Sequence, residues 1–84
     1  MSLGKFIREA RRRRGLSQWE LAQISGLGRS YISRLELDDY DYPSAKTFLA
    51  LSKALRVTVN DLYEAAGYFD EISEHRTGQS KPQS

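Results

Sequence analysis

Residues 18–36, QWELAQISGLGRSYISRLE, constrain the fold more than any other part of the chain. Apolar residues recur at helical spacing on both sides of a Gly-Leu-Gly corner, which predicts two short helices. In the second, Tyr31, Ile32 and Leu35 share one face and polar side chains lie opposite, because successive residues turn by about 100°. Gly26 suits the left-handed conformation in which many helices end. The segment is therefore predicted to be a helix-turn-helix.

The same segment resembles the lambda-repressor and Cro-like (XRE) family of DNA-binding proteins. Gln18, Ala22, Gly26, Ile32 and Leu35 fall where that family keeps its signature residues. The resemblance extends without a gap from about residue 3 to residue 63 and includes GLSQWELA, RSYISRLE and ALRVTVNDL. It implies an all-α, compact five-helix DNA-binding domain with the helix-turn-helix at helices 2 and 3, in which helix 3 enters the major groove.

Capping residues and apolar periodicity predict the other helices. Ser2, Ser17, Ser44 and Thr58 each stand before a helical pattern, and an acidic residue three positions after Ser17 and after Thr58 completes a capping box. The side chains expected to be buried are Leu3, Phe6, Ile7 and Ala10 in helix 1, Leu21 and Ala22 in helix 2, Phe48, Leu49, Leu51 and Leu55 in helix 4, and Val59, Leu62 and Tyr63 in helix 5.

Charge is unevenly placed, although the net charge of the 84-residue chain is only +2. Residues 1–36 hold eight Lys or Arg against three Glu, a balance of +5. Residues 37–84 hold five against eight Asp or Glu, a balance of −3. Because the basic half contains the helix-turn-helix, this asymmetry favours a nucleic-acid partner.

Length and composition exclude several classes of protein. A chain of 84 residues has room for one small domain, expected at residues 1–72, and the polar residues 73–84 are predicted to be a disordered tail. The sequence has no Cys, a single His in that tail and no P-loop, so catalysis, a metal and a cofactor are not expected. Without an apolar leader or membrane span, the protein is predicted to be cytoplasmic, with no membrane partner.

Helix 3 carries the side chains predicted to read bases. Arg29, Ser30, Ser33 and Arg34 have the spacing that directs several side chains into one major groove. Arginine is the best reader of guanine, through O6 and N7. The resemblance implies that Arg29, Ser30 and Arg34 touch bases.

Phosphate contacts are predicted around the start of helix 2. The capping box leaves helix N-terminal amides pointing outward, and these suit a phosphate oxygen. Trp19 has two open roles, lying against the sugar-phosphate backbone or covering helix 4. Tyr31 also has two, reaching the DNA or packing in the core. The predicted phosphate-contacting residues are Ser17, Gln18, Trp19, Arg14, Tyr31 and Tyr40.

The run Arg11 to Arg14 winds round the last turn of helix 1. Cations complement the dipole there, so one interpretation is simply a solvated helix end. The family resemblance gives Arg11 a separate role, a largely buried salt bridge with Glu36 that ties helix 1 to the end of helix 3.

Two segments depart from the basic pattern of the family. After Glu36 the chain reads LDDYDYP where family members usually have basic residues. Asp38, Asp39 and Asp41 would repel a DNA backbone, so either DNA approaches this loop less closely or the loop serves a protein partner. Farther on, the apolar residues Tyr68, Phe69 and Ile72 either complete the thin core or form a dimer contact.

The sequence therefore predicts a transcriptional regulator that binds double-stranded DNA with sequence specificity. The expected form is a homodimeric repressor that reads a palindromic operator through helix 3 and occludes polymerase. The alternative is a protein-interaction helix-turn-helix module, such as an antitoxin or co-regulator, that uses the acidic loop and the apolar residues near the C-terminus.

Overall fold

The computed structural model describes residues 2–67 of the chain. They form five α-helices and, within that range, no strand: α1 (Leu3–Arg13), α2 (Gln18–Ser25), α3 (Arg29–Glu36), α4 (Ala45–Leu55) and α5 (Val59–Ala65). The predicted all-α, five-helix fold is confirmed. None of these helices is long and apolar enough to cross a membrane. The predicted dimer-contact residues Tyr68, Phe69 and Ile72 and the predicted tail at residues 73–84 lie outside the described residues.

Local sequence sets the ends of the helices. At α2, Ser17 Oγ accepts from the Glu20 amide at 3.0 Å and the Glu20 carboxylate accepts from the Ser17 amide at 2.8 Å. Thr58 and Asp61 form the same reciprocal box at α5. Gly26 ends α2 in the left-handed conformation, at φ +76°. The predicted caps are confirmed, and they leave only a short corner between α2 and α3.

The core holds α3 from two sides. α1 packs against α3, α4 and α5, whereas α2 packs against α3 and α4. The fully buried large side chains come from all five helices and are Leu3, Ile7, Leu21, Ile32, Leu35, Phe48, Leu51 and Leu62. Because α1 and α2 cover the apolar face of α3, its opposite face is presented to solvent.

Burial of Leu49 was predicted, and this prediction is wrong. The buried stripe of α4 runs through Thr47, Phe48, Leu51 and Leu55, and Leu49 lies one helical step outside it with 48% of its surface exposed. At about 100° per residue, the other buried residues of α4 all lie on one side of Phe48, and Leu49 turns to the opposite side. Leu49 instead borders a shallow concave surface between α2 and α4, together with the exposed Ile24.

The start of α1 lies directly against the end of α3. A Cβ added to Gly4 would stand 2.6 Å from the carbonyl oxygens of Leu35 and Glu36, which is closer than van der Waals contact allows. Glycine is therefore required for this helix crossing. The Gly4 amide also donates to Asp38 Oδ1 at 2.8 Å, so α1 holds the chain where it leaves α3.

Candidate nucleic-acid interface

Four polar side chains of α3 stand on one open concave surface with a residue of α2. Arg29, Ser30 and Arg34 are exposed and Ser33 is half-buried, and together with Gln18 they line this surface. Gly28 precedes α3 as its N-cap and offers no side-chain hydrogen bond to the first turn. The structure thus brings together the four residues predicted to touch bases and one predicted to touch phosphate.

A buried ion pair lies beneath this surface. Arg11 Nε donates to Glu36 Oε2 at 2.6 Å and Arg11 Nη2 donates to Glu36 Oε1 at 2.9 Å, with side chains 10% and 3% exposed. Arg11 Nη1 also donates to the Leu16 carbonyl at 2.9 Å. The hydrogen bond to Glu36 raises the pKa of Arg11 above its ordinary value, burial opposes that rise, and the charge of Glu36 adds to it. The salt bridge implied by the family resemblance is present and ties α1 and the α1–α2 loop to α3.

The same carboxylate orients Gln18. Gln18 is half-buried, and its Nε2 donates to Glu36 Oε1 at 3.1 Å. This bond could not be expected from the sequence, because the two residues are 18 positions apart in the chain. The Nε2 group carries two hydrogens and this bond uses one. A phosphate contact by Gln18 stays a prediction, and the structure adds a reason why its side chain holds one position.

The other residues predicted to touch phosphate lie in three places. Ser17 and Trp19 are exposed at the start of α2, and the exposure of the indole argues against the role of covering α4. Tyr31 and Tyr40 are half-buried and pack against the core. Arg14 lies at the end of α1, where its Nη1 donates to the Ala54 carbonyl in the last turn of α4, and its phosphate contact stays a prediction.

The acidic segment after α3 has internal partners that sequence reasoning missed. Asp38 adopts the left-handed conformation at φ +59° and accepts the Gly4 amide. Asp39 lies beside Arg34, whose Nε donates to the Asp39 carbonyl at 3.2 Å. Asp is one of the few residues besides glycine that tolerates this backbone conformation, and its position just after a helix was the available signal.

Tyr40 follows these two aspartates and packs against the core. Its burial raises its pKa above the ordinary tyrosine value, and the neighbouring Asp38, Tyr42 and Tyr31 add to that rise. The phenol therefore keeps its proton, and its capacity to donate a hydrogen bond, to higher pH than an exposed tyrosine.

Nothing in the described part of the chain resembles a metal centre: residues 2–67 hold no cluster of three or more His, Cys, Asp or Glu side chains that could bind an ion. The chemistry available on the α3 surface is hydrogen bonding by guanidinium, hydroxyl and amide groups. These groups suit recognition of polar edges and phosphate oxygens.

Comparison with known proteins gives a consistent result. Residues 7–62 match the family model described as helix-turn-helix. RghR, named as an HTH-type transcriptional repressor of Bacillus subtilis strain 168, is 35% identical over 75 residues, which make up 89% of this chain and 56% of RghR. The chain spans about half the length of most of the curated relatives that it matches.

Two solved structures share the arrangement of helices. SinR of Bacillus subtilis, described as the master regulator for biofilm formation and solved in complex with DNA, gives a TM-score of 0.69 at 33% identity, covering 71% of this chain and 95% of that chain. C.AhdI, a restriction-modification controller protein from Aeromonas hydrophila, gives a TM-score of 0.67 at 38% identity, covering 71% of this chain and 89% of that chain.

Proposed function

This chain belongs to the helix-turn-helix family of the lambda-repressor (XRE) type, and from that premise we propose that it regulates transcription by binding double-stranded DNA with sequence specificity. The observation that carries the proposal is the concave surface where the polar face of α3 meets Gln18. A helix of this kind, supported from behind by two others, is the element that enters a major groove.

Arg29 and Arg34 supply the principal base-reading groups in this proposal. The paired N–H groups of a guanidinium match O6 and N7 of guanine, whereas serine hydroxyls pair with several bases. Ser30 and Ser33 lie between the two arginines on the same face. Four adjacent donors on one short helix read a few successive base pairs.

The start of α2 supplies the register on the DNA backbone. Amides at a helix N-terminus and the neighbouring Gln18 attract a phosphate oxygen. Gln18 Nε2 donates to Glu36 Oε1 at 3.1 Å, and the Glu36 carboxylate is itself held by Arg11. The Gln18 side chain is therefore oriented before DNA binds. Ser17 and Trp19 flank this point, and the other proposed phosphate contacts are Arg14, Tyr31 and Tyr40.

The proposed form on DNA is a homodimeric repressor on a palindromic operator. One domain offers a single recognition helix and few phosphate contacts, so coupling two domains raises affinity through effective concentration. Two copies related by a two-fold axis read half-sites about 34 Å apart. Tyr68, Phe69 and Ile72 are the proposed dimer contact, and occlusion of polymerase is the proposed means of repression. The proposed location is the cytoplasm, where the DNA of a bacterial regulator lies, and no catalytic activity is proposed.

The test is selection of bound sequences from a random duplex pool, followed by binding of variants to the selected site. Arg29→Ala should weaken binding at least about fivefold and relax the base preference at one position per half-site. Arg12→Ala is the matched control, because Arg12 is an exposed arginine of α1 outside the concave surface, and it should leave the base preference unchanged. If Arg29→Ala kept both affinity and preference, α3 would not be the reading helix.

A protein-interaction module remains the second candidate, favoured by the exposed Asp41 and Tyr42 in the acidic loop. Its support is reduced because Asp38 and Asp39 already have partners within the domain. Capture of a defined protein by the wild-type chain, lost on Asp41→Lys, together with no selection of any DNA sequence, would favour it.

A further inference from the structure

We propose that the turn after α3, residues 37–39, is a specificity-determining element: Asp38 anchors it to α1, and the anchored turn holds Arg34 so that Nη1 and Nη2 face the DNA. This inference rests on the proposed DNA-binding function and adds a positioning role for Asp38 and Asp39, which are not among the predicted base contacts. It concerns the segment whose acidic character departs from the family pattern.

The turn has a defined backbone that depends on Asp38. The Asp38 amide donates to the Leu35 carbonyl at 3.1 Å and the Asp39 amide donates to the Arg34 carbonyl at 2.8 Å, which is the paired bonding of a Schellman motif. Such a motif needs a left-handed residue, and Asp38 fills that position at φ +59° where glycine is usual. An aspartate brings a carboxylate that glycine lacks.

That carboxylate fastens the turn to a second helix. Asp38 Oδ1 accepts the Gly4 amide at 2.8 Å, at the N-terminus of α1. A helix N-terminus carries partial positive charge, so a carboxylate is the favoured acceptor. The absence of a Cβ on Gly4 leaves room for this contact, since a Cβ would lie 2.8 Å from Oδ1.

The anchored turn then engages the Arg34 side chain. Arg34 Nε donates to the Asp39 carbonyl at 3.2 Å, and the Asp39 carboxylate lies 3.9 Å from the same nitrogen. Nε carries one hydrogen, and this bond uses it. The donors that remain for a ligand are those of Nη1 and Nη2, at the end of the guanidinium.

This arrangement selects one of the ways in which arginine reads a base. A guanidinium pairs with guanine O6 and N7 through two parallel N–H groups. Because the turn holds Nε of Arg34, the N–H groups of Nη1 and Nη2 are the parallel pair that faces outward. The side chain is also ordered before binding, which lowers the entropic cost of the contact. The negative charge of Asp39 beside it also disfavours phosphate as the ligand of Arg34, so the turn favours a base over the backbone.

The decisive variant is Asp38→Gly, which keeps the left-handed backbone and removes the anchor. Discrimination at the base pair read by Arg34 should fall on the order of tenfold, with affinity for unrelated duplex DNA unchanged or higher. Asp38→Asn is the matched control, because it removes the charge but keeps an acceptor and tolerates the left-handed conformation. It should discriminate as the wild type does.

A double-variant cycle assigns the effect to Arg34. In an Arg34→Ala background, Asp38→Gly should cause no further loss of discrimination, and an equal loss in both backgrounds would overturn the inference. Thermal melts establish that each variant is folded. Where Asp38→Gly does not fold, the Arg34 Nε–H of the unliganded wild type is observed by ¹⁵N NMR, and fast exchange of that proton with water would overturn the inference as well.

The outcomes separate the two proposals. If the wild type selects no sequence, the proposed function fails. If it selects a sequence and Arg34→Ala relaxes it, while folded Asp38→Gly discriminates as the wild type does, the function stands and the positioning role of the turn is refuted.

Discussion

Replacing Glu36 with alanine should destabilise the domain more than any other single removal of charge within residues 2–67. Glu36 accepts from Arg11 Nε, Arg11 Nη2 and Gln18 Nε2, and its side chain is only 3% exposed. Glu36→Ala leaves the Arg11 guanidinium, 10% exposed, without its counter-charge. Breaking a buried pair in this way costs about 3 to 5 kcal/mol, because the remaining charge is neither solvated nor compensated.

That cost is a large part of the free energy of unfolding of a domain of this size. Small domains have a free energy of unfolding of about 5 to 15 kcal/mol, and a loss of 1 kcal/mol lowers the melting temperature of a short chain by about 4 to 8 °C. We therefore expect Glu36→Ala to melt at least about 12 °C below the wild type.

The exposed pair formed by Arg34 and Asp39 provides the matched control. Its side chains are 57% and 76% exposed and its closest N–O distance is 3.9 Å, so solvent screens it and Asp39→Ala should cost about 0 to 1 kcal/mol. Urea unfolding at neutral pH, with an unchanged slope, gives both differences. If Glu36→Ala unfolded within 1 kcal/mol of the wild type, the reasoning from burial and lost partners would be refuted.

Three further predictions concern packing, pH and assembly. Gly4→Ala should lower the free energy of unfolding by about 1 to 3 kcal/mol, because its Cβ would stand 2.6 Å from the Leu35 and Glu36 carbonyls; a melt unchanged from the wild type would contradict the close crossing. Burial and then the charge of Asp38 raise the pKa of Tyr40, so the protonated phenol stabilises the fold below the ordinary pKa of 10.0, and this contribution is lost as pH rises above that value. Tyr40→Phe should therefore flatten the decrease in the free energy of unfolding, measured in urea, between about pH 9 and about pH 11. A decrease as steep as that of the wild type would show that Tyr40 does not cause it. Ending the chain after Gly67 should leave a folded monomer that occupies a palindromic site without cooperativity. If sedimentation showed a dimer of the shortened chain, the dimer contact would have to lie within residues 1–67.

Features that depend on neighbours in sequence could be predicted from the sequence. The capping boxes at Ser17 and Thr58, the left-handed Gly26 and the apolar face of α3 are each encoded within one turn of helix, and the structure confirms them. Leu49 was mispredicted for a local reason, because a cluster of apolar residues in α4 does not by itself show which of them lie one step outside the stripe.

Features that depend on tertiary contact could not be predicted in the same way. The role of Gly4 appears only when α1 crosses the end of α3, and the partner of Asp38 lies 34 positions away in the chain. The bond from Gln18 to Glu36 likewise joins two helices. The sequence indicated the polar face that would meet DNA, whereas the contacts that orient its side chains required the fold.

The four consecutive arginines of α1 are not equivalent, and this bears on how binding should respond to ionic strength. Counterions are released from DNA only by cations that reach phosphates, and each such contact adds about 0.9 to the slope of log affinity against log salt concentration. Arg11 is buried and already neutralised by Glu36, whereas Arg12 and Arg13 are exposed. A charge count of the sequence would therefore overstate the dependence of affinity on salt concentration in the proposed complex by about 0.9 in that slope.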